Sequence, residues 1–560
     1  MQSRQQLQQL INSFSLDTFV DFLKLSNDRF TPSDDDYSHY IDDNKDSFSS
    51  STKLGEISFN DVQRLIVVAT ESDNELTTRT GKKKQYDLAK KILKAEWYDA
   101  GIFIFFDKQG HFRFSLVVAQ YVGKKRQFSN FRRYTYFVTP ELPNKTFLNQ
   151  IGKANFSSID KILAAFSIEA VSNDFYNEFN PKFKKIADAV QGAEKDRGLK
   201  QDFALLFVIR IIFLGFVQKK EWLGGKEHFI QEFWKEYCGQ FSGDNNFYVR
   251  WLEPLFFEAL NSPPGRKVKY QDNEFSSETE KILQQAPFLN GELFKKKKGV
   301  DGKGLWLPDD IICEFLDFLF QYNFTIEENT CYDEELELNP EFLGIIFERI
   351  VNKVNGAVYT PRTEVDLMCR IALVKWLEKN SKCEKYDLYH LFFREGGIGA
   401  EFDEDQKHGD FSTKQIRELV DLLENVTACD PAAGSGAFEV GMLHVLHEVL
   451  DNIYNRPNAP DEIKQKTPFE LKKSIIGNSL YGVEVKRWAV WINQLRLWLT
   501  LFIDMPDEDK HSVEPLLPNL NFKVRCGDSL VQRIGTKMFP VHGHALLSAG
   551  VKRKITDLKK

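Results

Sequence analysis

The sequence predicts an α/β chain in three parts. These are a β-rich N-terminal module (1–150), a helical region (151–334) and a stretch of alternating helices and strands (335–560). Three observations predict it. Short runs rich in Phe, Ile, Val and Tyr recur between about 55 and 150. The apolar spacing turns helical from about 155 to 325. From Pro340 onward, helix-like and strand-like segments alternate, which implies βαβ units and a parallel sheet.

Composition bounds the function. The chain has 560 residues, with 28% charged and 42% hydrophobic, as expected of several globular domains. The net charge of −7 excludes a global basic signature for nucleic acid, so any DNA contact must come from local patches. Candidates are Lys82–Lys84, Lys124–Arg126, Arg132 with Arg133, Lys295–Lys298 and the Lys552–Lys554 tail, each of which also reads as an ordinary solvated face. The seven Cys are scattered without a Cys-x-x-Cys pair, which fits a reduced, cytoplasmic interior. Met1–Gln9 is polar and shows no secretory signal. The apolar run Phe203–Val217 is short and carries Arg210, so it reads as a buried core helix.

Residues 1–50 read as a helical start followed by an acidic, Ser-rich loop, Ser33–Ser51. Strand-like runs follow at Arg64–Ala69, Gly101–Phe106, His111–Tyr121 and Tyr134–Val138, with Asp107–Gly110 as a hairpin turn. Helices are expected at Gln201–Val217, His228–Tyr237, Val249–Leu260 and Asp309–Gln321. Asn261–Ser277 reads as a loop and Tyr322–Asn339 as an acidic, irregular connector. The last part predicts helices near 361–380 and 413–425, a strand Val426–Asp430 and a helix Ala437–Asp451. Beyond these come a strand Leu480–Val485, a helix Trp488–Ile503 and a strand near Phe522–Cys526.

The chemistry-bearing segment is Asp430-Pro431-Ala432-Ala433-Gly434-Ser435-Gly436-Ala437-Phe438. A strand ends in an acid, and a turn of small residues opens a helix. Gly434 and Gly436 let the backbone approach a ligand and take positive φ, and the helix start supplies free amide donors. Asp430 faces the crevice at the strand's carboxyl end, where open parallel sheets bind ligands. Glu484, in Tyr481-Gly482-Val483-Glu484, ends the next strand. Asp528, in Cys526-Gly527-Asp528-Ser529, follows the third. Either acid alone is an ordinary surface carboxylate; their order after the glycine turn sets them apart. Upstream, Gly356-Ala357-Val358-Tyr359-Thr360-Pro361 precedes a helix, with Thr360 suited to the N-cap and Pro361 to the first helical position.

These segments resemble motifs X, I, II and III, in that order, of the γ-class N6-adenine DNA methyltransferases, as found in type IIG restriction–modification enzymes or related phage-defence systems. The resemblance covers about 335–530 and implies a Rossmann-like domain that binds S-adenosylmethionine. It implies that Tyr359, Thr360 and Pro361 close over the methionine part. It further implies that Asp430, Ala432, Gly434 and Gly436 form the cofactor turn, Glu484 holds the ribose hydroxyls and Asp528 accepts from the cofactor's adenine amine. Val358 departs from the family's Tyr. Double-stranded DNA is the implied partner.

The family's Asn-Pro-Pro-Tyr motif, which accepts from the target adenine and stacks on the flipped base, does not occur after Asp528. The single Pro-Pro pair, Pro263-Pro264, reads as a loop. The expectation is therefore a methyltransferase domain that is incomplete in this chain, with no catalytic residue of its own. It would be truncated, or split with a second polypeptide carrying the catalytic motif and target-recognition domain. Pro460-Asp461-Glu462-Ile463-Lys464 has the letters of a nuclease site, but too compactly for two strands to share. An oxidoreductase would place Gly-x-Gly-x-x-Gly directly after the strand, unlike this segment. A helical DNA-binding scaffold with a purely structural sheet is the remaining alternative.

Overall fold

The structure is a computed structural model. It describes residues 2–538 except 45, 61–62, 78–81, 123–124, 128–132, 194–195, 242, 266–273, 290–291, 302–303, 326–332, 336–342, 345, 348, 350–359, 394–408, 461–462, 464–465, 532 and 535–536. The motif X residues Gly356, Ala357, Val358 and Tyr359, and most of Pro460–Lys464, lie outside the described residues.

The architecture is mixed α/β. The N-terminal sheet is built from β1 (Phe30–Asp36), β2 (Phe48–Ser58), β3 (Arg64–Ser72), β4 (Ala100–Phe106) and β5 (Phe112–Val118). After a ribbon of β6 (Gln120–Val122) and β7 (Lys125–Gln127), β8 (Arg133–Val138) and β9 (Asp333–Glu335) complete it. The order is β1-β2-β3-β4-β5-β8-β9. Strands β3 and β4 are parallel and joined through α1 (Lys82–Glu96), whereas β4 and β5 form an antiparallel hairpin. The hairpin turns at Asp107–Gly110 as expected, with Gly110 at φ 88° and the Asp107 amide donating to the His111 carbonyl at 3.0 Å. Strand β4 and the Leu65–Ala69 stretch of β3 are apolar because both faces are covered. Leu65, Val67, Ile102 and Ile104 enter the main core, while Ile66, Val68, Phe103 and Phe105 pack with Ile92 and Leu93 of α1.

Two stretches differ from their sequence reading. The acidic run 33–51 is not a loop: its residues form β1, a 3₁₀ segment Ser38–Asn44 and the start of β2. Pairing with β2 and burial of Tyr37, Tyr40, Ile41 and Phe48 outweigh the polar composition. Within the expected irregular connector, residues 333–335 pair in parallel with β8. The expected helix Val249–Leu260 is present, wound as two π-helical pieces, Phe247–Leu252 and Leu255–Ala259, joined through helical Glu253 and Pro254.

The helical part centres on α2 (Arg197–Lys219), capped by the Asp196 side chain, which accepts from the Leu199 amide at 2.9 Å. By length and composition α2 could cross a membrane, but every residue from Phe203 to Gln218 is buried inside the protein. That is how a helix apolar all round must be placed in a folded core. Arg210 is tolerated there because Asp301 accepts two hydrogen bonds from its guanidinium, at 2.9 and 2.7 Å, and the Leu293 carbonyl a third at 3.0 Å.

The last part packs on the same core. Helix α3 (Arg362–Asn380) lies against α4 (Ala437–Tyr454), close enough that a Cβ on Gly441 would strike Val365. Arg370 of α3 reaches Glu448 of α4 and the Phe392 carbonyl. Strands β10 (Ala428–Asp430), β11 (Leu480–Glu484) and β12 (Val524–Cys526) form a parallel sheet in that order. Helices α4 and α5 (Arg487–Phe502) form the crossovers, with a further helix Pro468–Asn478 before β11. That helix and Thr413–Asn425 each start with a complete capping box, at Thr467/Glu470 and Ser412/Gln415. Leu480, Gly482 and Val524 bury one face of the sheet, while Cys429 and Arg525 leave the other exposed. Helix α3 begins one residue later than the sequence suggested: Pro361 is the N-cap, and no side chain caps the helix. Thr360 therefore lies before the cap, because Pro361 has a helix-compatible φ of −59° but a ψ of 153° that keeps it out of the helical turn.

Replacing Arg210 by Met should leave Asp301 charged and buried. We expect a loss of about 3–5 kcal/mol in denaturant unfolding; a loss below about 1 kcal/mol would show that the pair does not hold this core together.

Candidate functional site

The carboxyl ends of β10, β11 and β12 meet the amino ends of α4 and α5, and most of the described motif residues converge there. Asp430 ends β10 and turns its Oδ1 onto the Ala432 amide at 2.9 Å, closing the first bend. The Ala433 amide donates to the Val483 carbonyl at 3.0 Å, clipping the turn to β11. Gly434 and Gly436 both have positive φ, 53° and 87°, and Gly436 is the N-cap of α4. A Cβ on Gly434 would meet nothing within 4 Å, whereas one on Gly436 would collide with the Asn493 side chain.

Glu484 ends β11 and joins the elements. Its Oε2 accepts from the Gly434 amide at 3.0 Å and its Oε1 from the Lys486 amide at 2.8 Å. It is half-buried and keeps lone pairs free of these bonds. Asp528, exposed beyond β12, accepts from the Leu530 amide at 2.9 Å. Its neighbour Ser529 donates to the Pro431 carbonyl at 2.5 Å, which pins this loop to the glycine turn. Asp430, Ala432, Gly434, Gly436, Glu484 and Asp528 thus share one crevice. Thr360 and Pro361 stand at the start of α3, one turn before Val365, which touches α4 at Gly441.

Sequence reasoning missed three side chains under the turn: Glu439 of α4, and Asn493 and Arg496 of α5, all buried. A charged residue within the apolar Phe438-Glu439-Val440 run was the available signal. Burial and the charge of Asp430 push the Glu439 carboxyl up to about 8. Burial likewise raises the Cys369 thiol of α3 to about 12, and raises Cys429.

Three lysines of the basic runs carry local partners. Lys84 pairs with Asp46 at 2.8 Å, Lys295 with Glu292 at 3.1 Å and Lys296 with Glu253 at 3.1 Å. Burial lowers the Lys297 pKa. The side chains of Lys124–Arg126, Arg132, Arg133 and Lys552–Lys554 lie outside the described residues. Pro263-Pro264 is in a loop, and its neighbour Gly265 bonds to the Gln284 carbonyl at 2.8 Å. Among the described residues no group of His, Cys, Asp and Glu is arranged to hold a metal ion.

This crevice lies within the part of the chain that relatives share. Residues 404–534 match the family described as MmeI, DNA-methyltransferase domain. A Methanocaldococcus jannaschii protein carrying the name type II restriction enzyme and methyltransferase RM.MjaORFECS2P is 29% identical over 402 residues, covering 65% of this chain and 32% of its own. The chain therefore spans about a third of that relative's length. Among solved structures, the type IIL restriction–modification enzyme MmeI in complex with DNA is 16% identical, with a TM-score of 0.37, covering 65% of this chain and 41% of that one. The DrdV–DNA complex is 12% identical, with a TM-score of 0.25, covering 94% and 40%. By sequence, residues 404–534 are thus similar to the methyltransferase domains of restriction–modification enzymes.

The two glycines of the turn should differ in cost. Gly434→Ala carries only the strain of positive φ, about 1–2 kcal/mol. Gly436→Ala adds the collision with Asn493, about 1–3 kcal/mol more. Urea unfolding of both variants checks this, and equal losses would contradict the packing described.

Proposed function

We propose that residues 356–530 bind S-adenosylmethionine and present its methyl group to adenine N6 in double-stranded DNA, within a restriction–modification or phage-defence enzyme. The observation that carries the reading is the bond between the Gly434 amide and Glu484. It joins a glycine turn that follows an acid-ended strand to the acid that ends the neighbouring strand. The sequence likeness of 404–534 to a DNA-methyltransferase domain supports the reading independently.

The donor set fits this cofactor. The amides at the start of α4 suit its polar end. The remaining lone pairs of Glu484 suit two vicinal ribose hydroxyls, since one carboxylate can accept from both. Asp528 can accept from an adenine amine, and the exposed Val485 and Leu530 beside these acids offer apolar contact to a flat ring. When bound, S-adenosylmethionine supplies the electrophilic methyl. What these residues contribute is orientation, which lowers the barrier by fixing the approach geometry.

Calorimetric titration of the 560-residue chain with S-adenosylmethionine tests the assignment. Asp430→Ala and Glu484→Ala should each weaken binding by about tenfold to a hundredfold, as expected for losing hydrogen bonds to a charged group. Asp461→Ala should leave it unchanged. Equal affinity in all three would sink the site. N4-methylcytosine in place of N6-methyladenine in DNA from cells carrying the gene would overturn the adenine assignment.

A further inference from the structure

The proposed cofactor contacts leave unused a set of polar side chains directly beneath the glycine turn. Glu439, in the first turn of α4, is 3% exposed, and neither carboxyl oxygen has a hydrogen-bond partner among the described residues. It lies over Gly482 of β11 so closely that a Cβ there would strike its Oε1. Asn493 of α5 is wholly buried and unpartnered at both amide atoms, and it presses on Gly436 from below. Arg496, almost one turn further along α5, donates to the Ser435 carbonyl at 3.1 Å but leaves its Nε unpaired. The turn Gly434–Gly436 therefore rests on a carboxyl, an amide and a guanidinium held by two helices.

Buried polar groups are costly unless they satisfy one another, and an ionised carboxylate costs far more than a neutral acid. A neutral acid can both donate and accept. A neighbouring carboxamide can answer both, giving a matched pair that an ionised carboxylate cannot form. We propose that Glu439 acts as a neutral carboxylic acid paired with Asn493, and is a positioning residue that holds the Gly434–Gly436 backbone in its ligand-accepting form. Ionisation of Glu439 breaks the match and loosens the turn from below. The proposal rests on the cofactor reading given above.

Groups from four elements surround Glu439. Strand β10 presents Asp430 and Cys429, α3 presents Cys369, α5 presents Asn493 and Arg496, and β11 presents the side-chain-free Gly482. Burial and Asp430 disfavour the charge, while hydrogen bonding from the backbone and from Asn493 and the charge of Arg496 favour it; the balance leaves the carboxyl at about 8. Arg496 does not form an ion pair with Glu439, since no such pair falls within 4.0 Å among the described residues.

The test compares S-adenosylmethionine binding by the full chain and by Glu439→Gln across pH. Gln is neutral at every pH and close to the acid in shape. Wild-type affinity should fall by about tenfold between about pH 7 and about pH 9, as one buried proton is lost, relative to the variant. Glu439→Gln should match the wild type at the lower pH. Titration of the ligand's own amino group is common to both proteins and cancels. A second readout needs no ligand. The folded pKa is raised, so the acid's contribution to stability is full below the ordinary carboxylate range and is lost as pH rises to about 8. The melting temperature of Glu439→Gln should therefore gain on the wild type over that window. Parallel pH curves, or weaker binding by Glu439→Gln at every pH, would overturn the proposal and favour an ionised Glu439 that answers Arg496. Absence of binding by the wild type at any pH would instead sink the cofactor reading itself.

Discussion

The C-terminal crevice depends on one carboxylate. Glu484 accepts from the Gly434 amide on one side and from the Lys486 amide on the other. Through it, the end of β11 holds the turn that leaves β10 and the start of α5 together. Charge-assisted bonds to backbone amides are stronger than neutral ones and, being tied to main chain, they fix geometry as well as energy. The Asp430 bend, the clip from Ala433 to Val483 and the bond from Ser529 to Pro431 then bring three strand ends together.

That geometry is supported from outside the parallel sheet. The Lys220 ammonium, at the end of α2, donates to the carbonyls of Phe502, Ile503 and Met505 at 3.2, 3.0 and 2.7 Å. These carbonyls close α5, where a helix end leaves acceptors unpaired and favours positive charge. Trp222 donates to Asp507 at 2.9 Å, and the Leu516 and Leu517 amides bond to the Phe288 and Leu289 carbonyls. The helical part thus holds the segment that leads from α5 into β12 and on to Asp528. It packs on the parallel-sheet part and shares its apolar cluster.

Much of this was legible in the sequence, for physical reasons that differ by element. Strands β10, β11 and β12 and helices α4 and α5 fall within a few residues of their expected bounds. Their signals are local: glycines at obligatory turns, acids at strand ends and long apolar helices between. The hairpin at Asp107–Gly110 was legible because Gly110 must take positive φ there. The run Ser33–Ser51 was not, since its acidic composition carries no trace of the β2 partner or of the aromatic cluster that orders it. The Thr360 cap failed by a single residue, the usual penalty of placing a helix boundary without its neighbours.

By itself the sequence determined the order of elements, the identity of the acids and glycines, and the likeness to a methyltransferase domain. Each of these is written in consecutive residues. Only the tertiary structure decided that Gly434 meets Glu484, fifty residues away, and that Ser529 reaches back to Pro431. It alone set Asn493 and Arg496 beneath a turn to which they are not adjacent in the chain. Spacing along a helix or strand specifies which face a side chain occupies. Which other face it meets depends on how the layers pack, and that is settled by burial over the whole core.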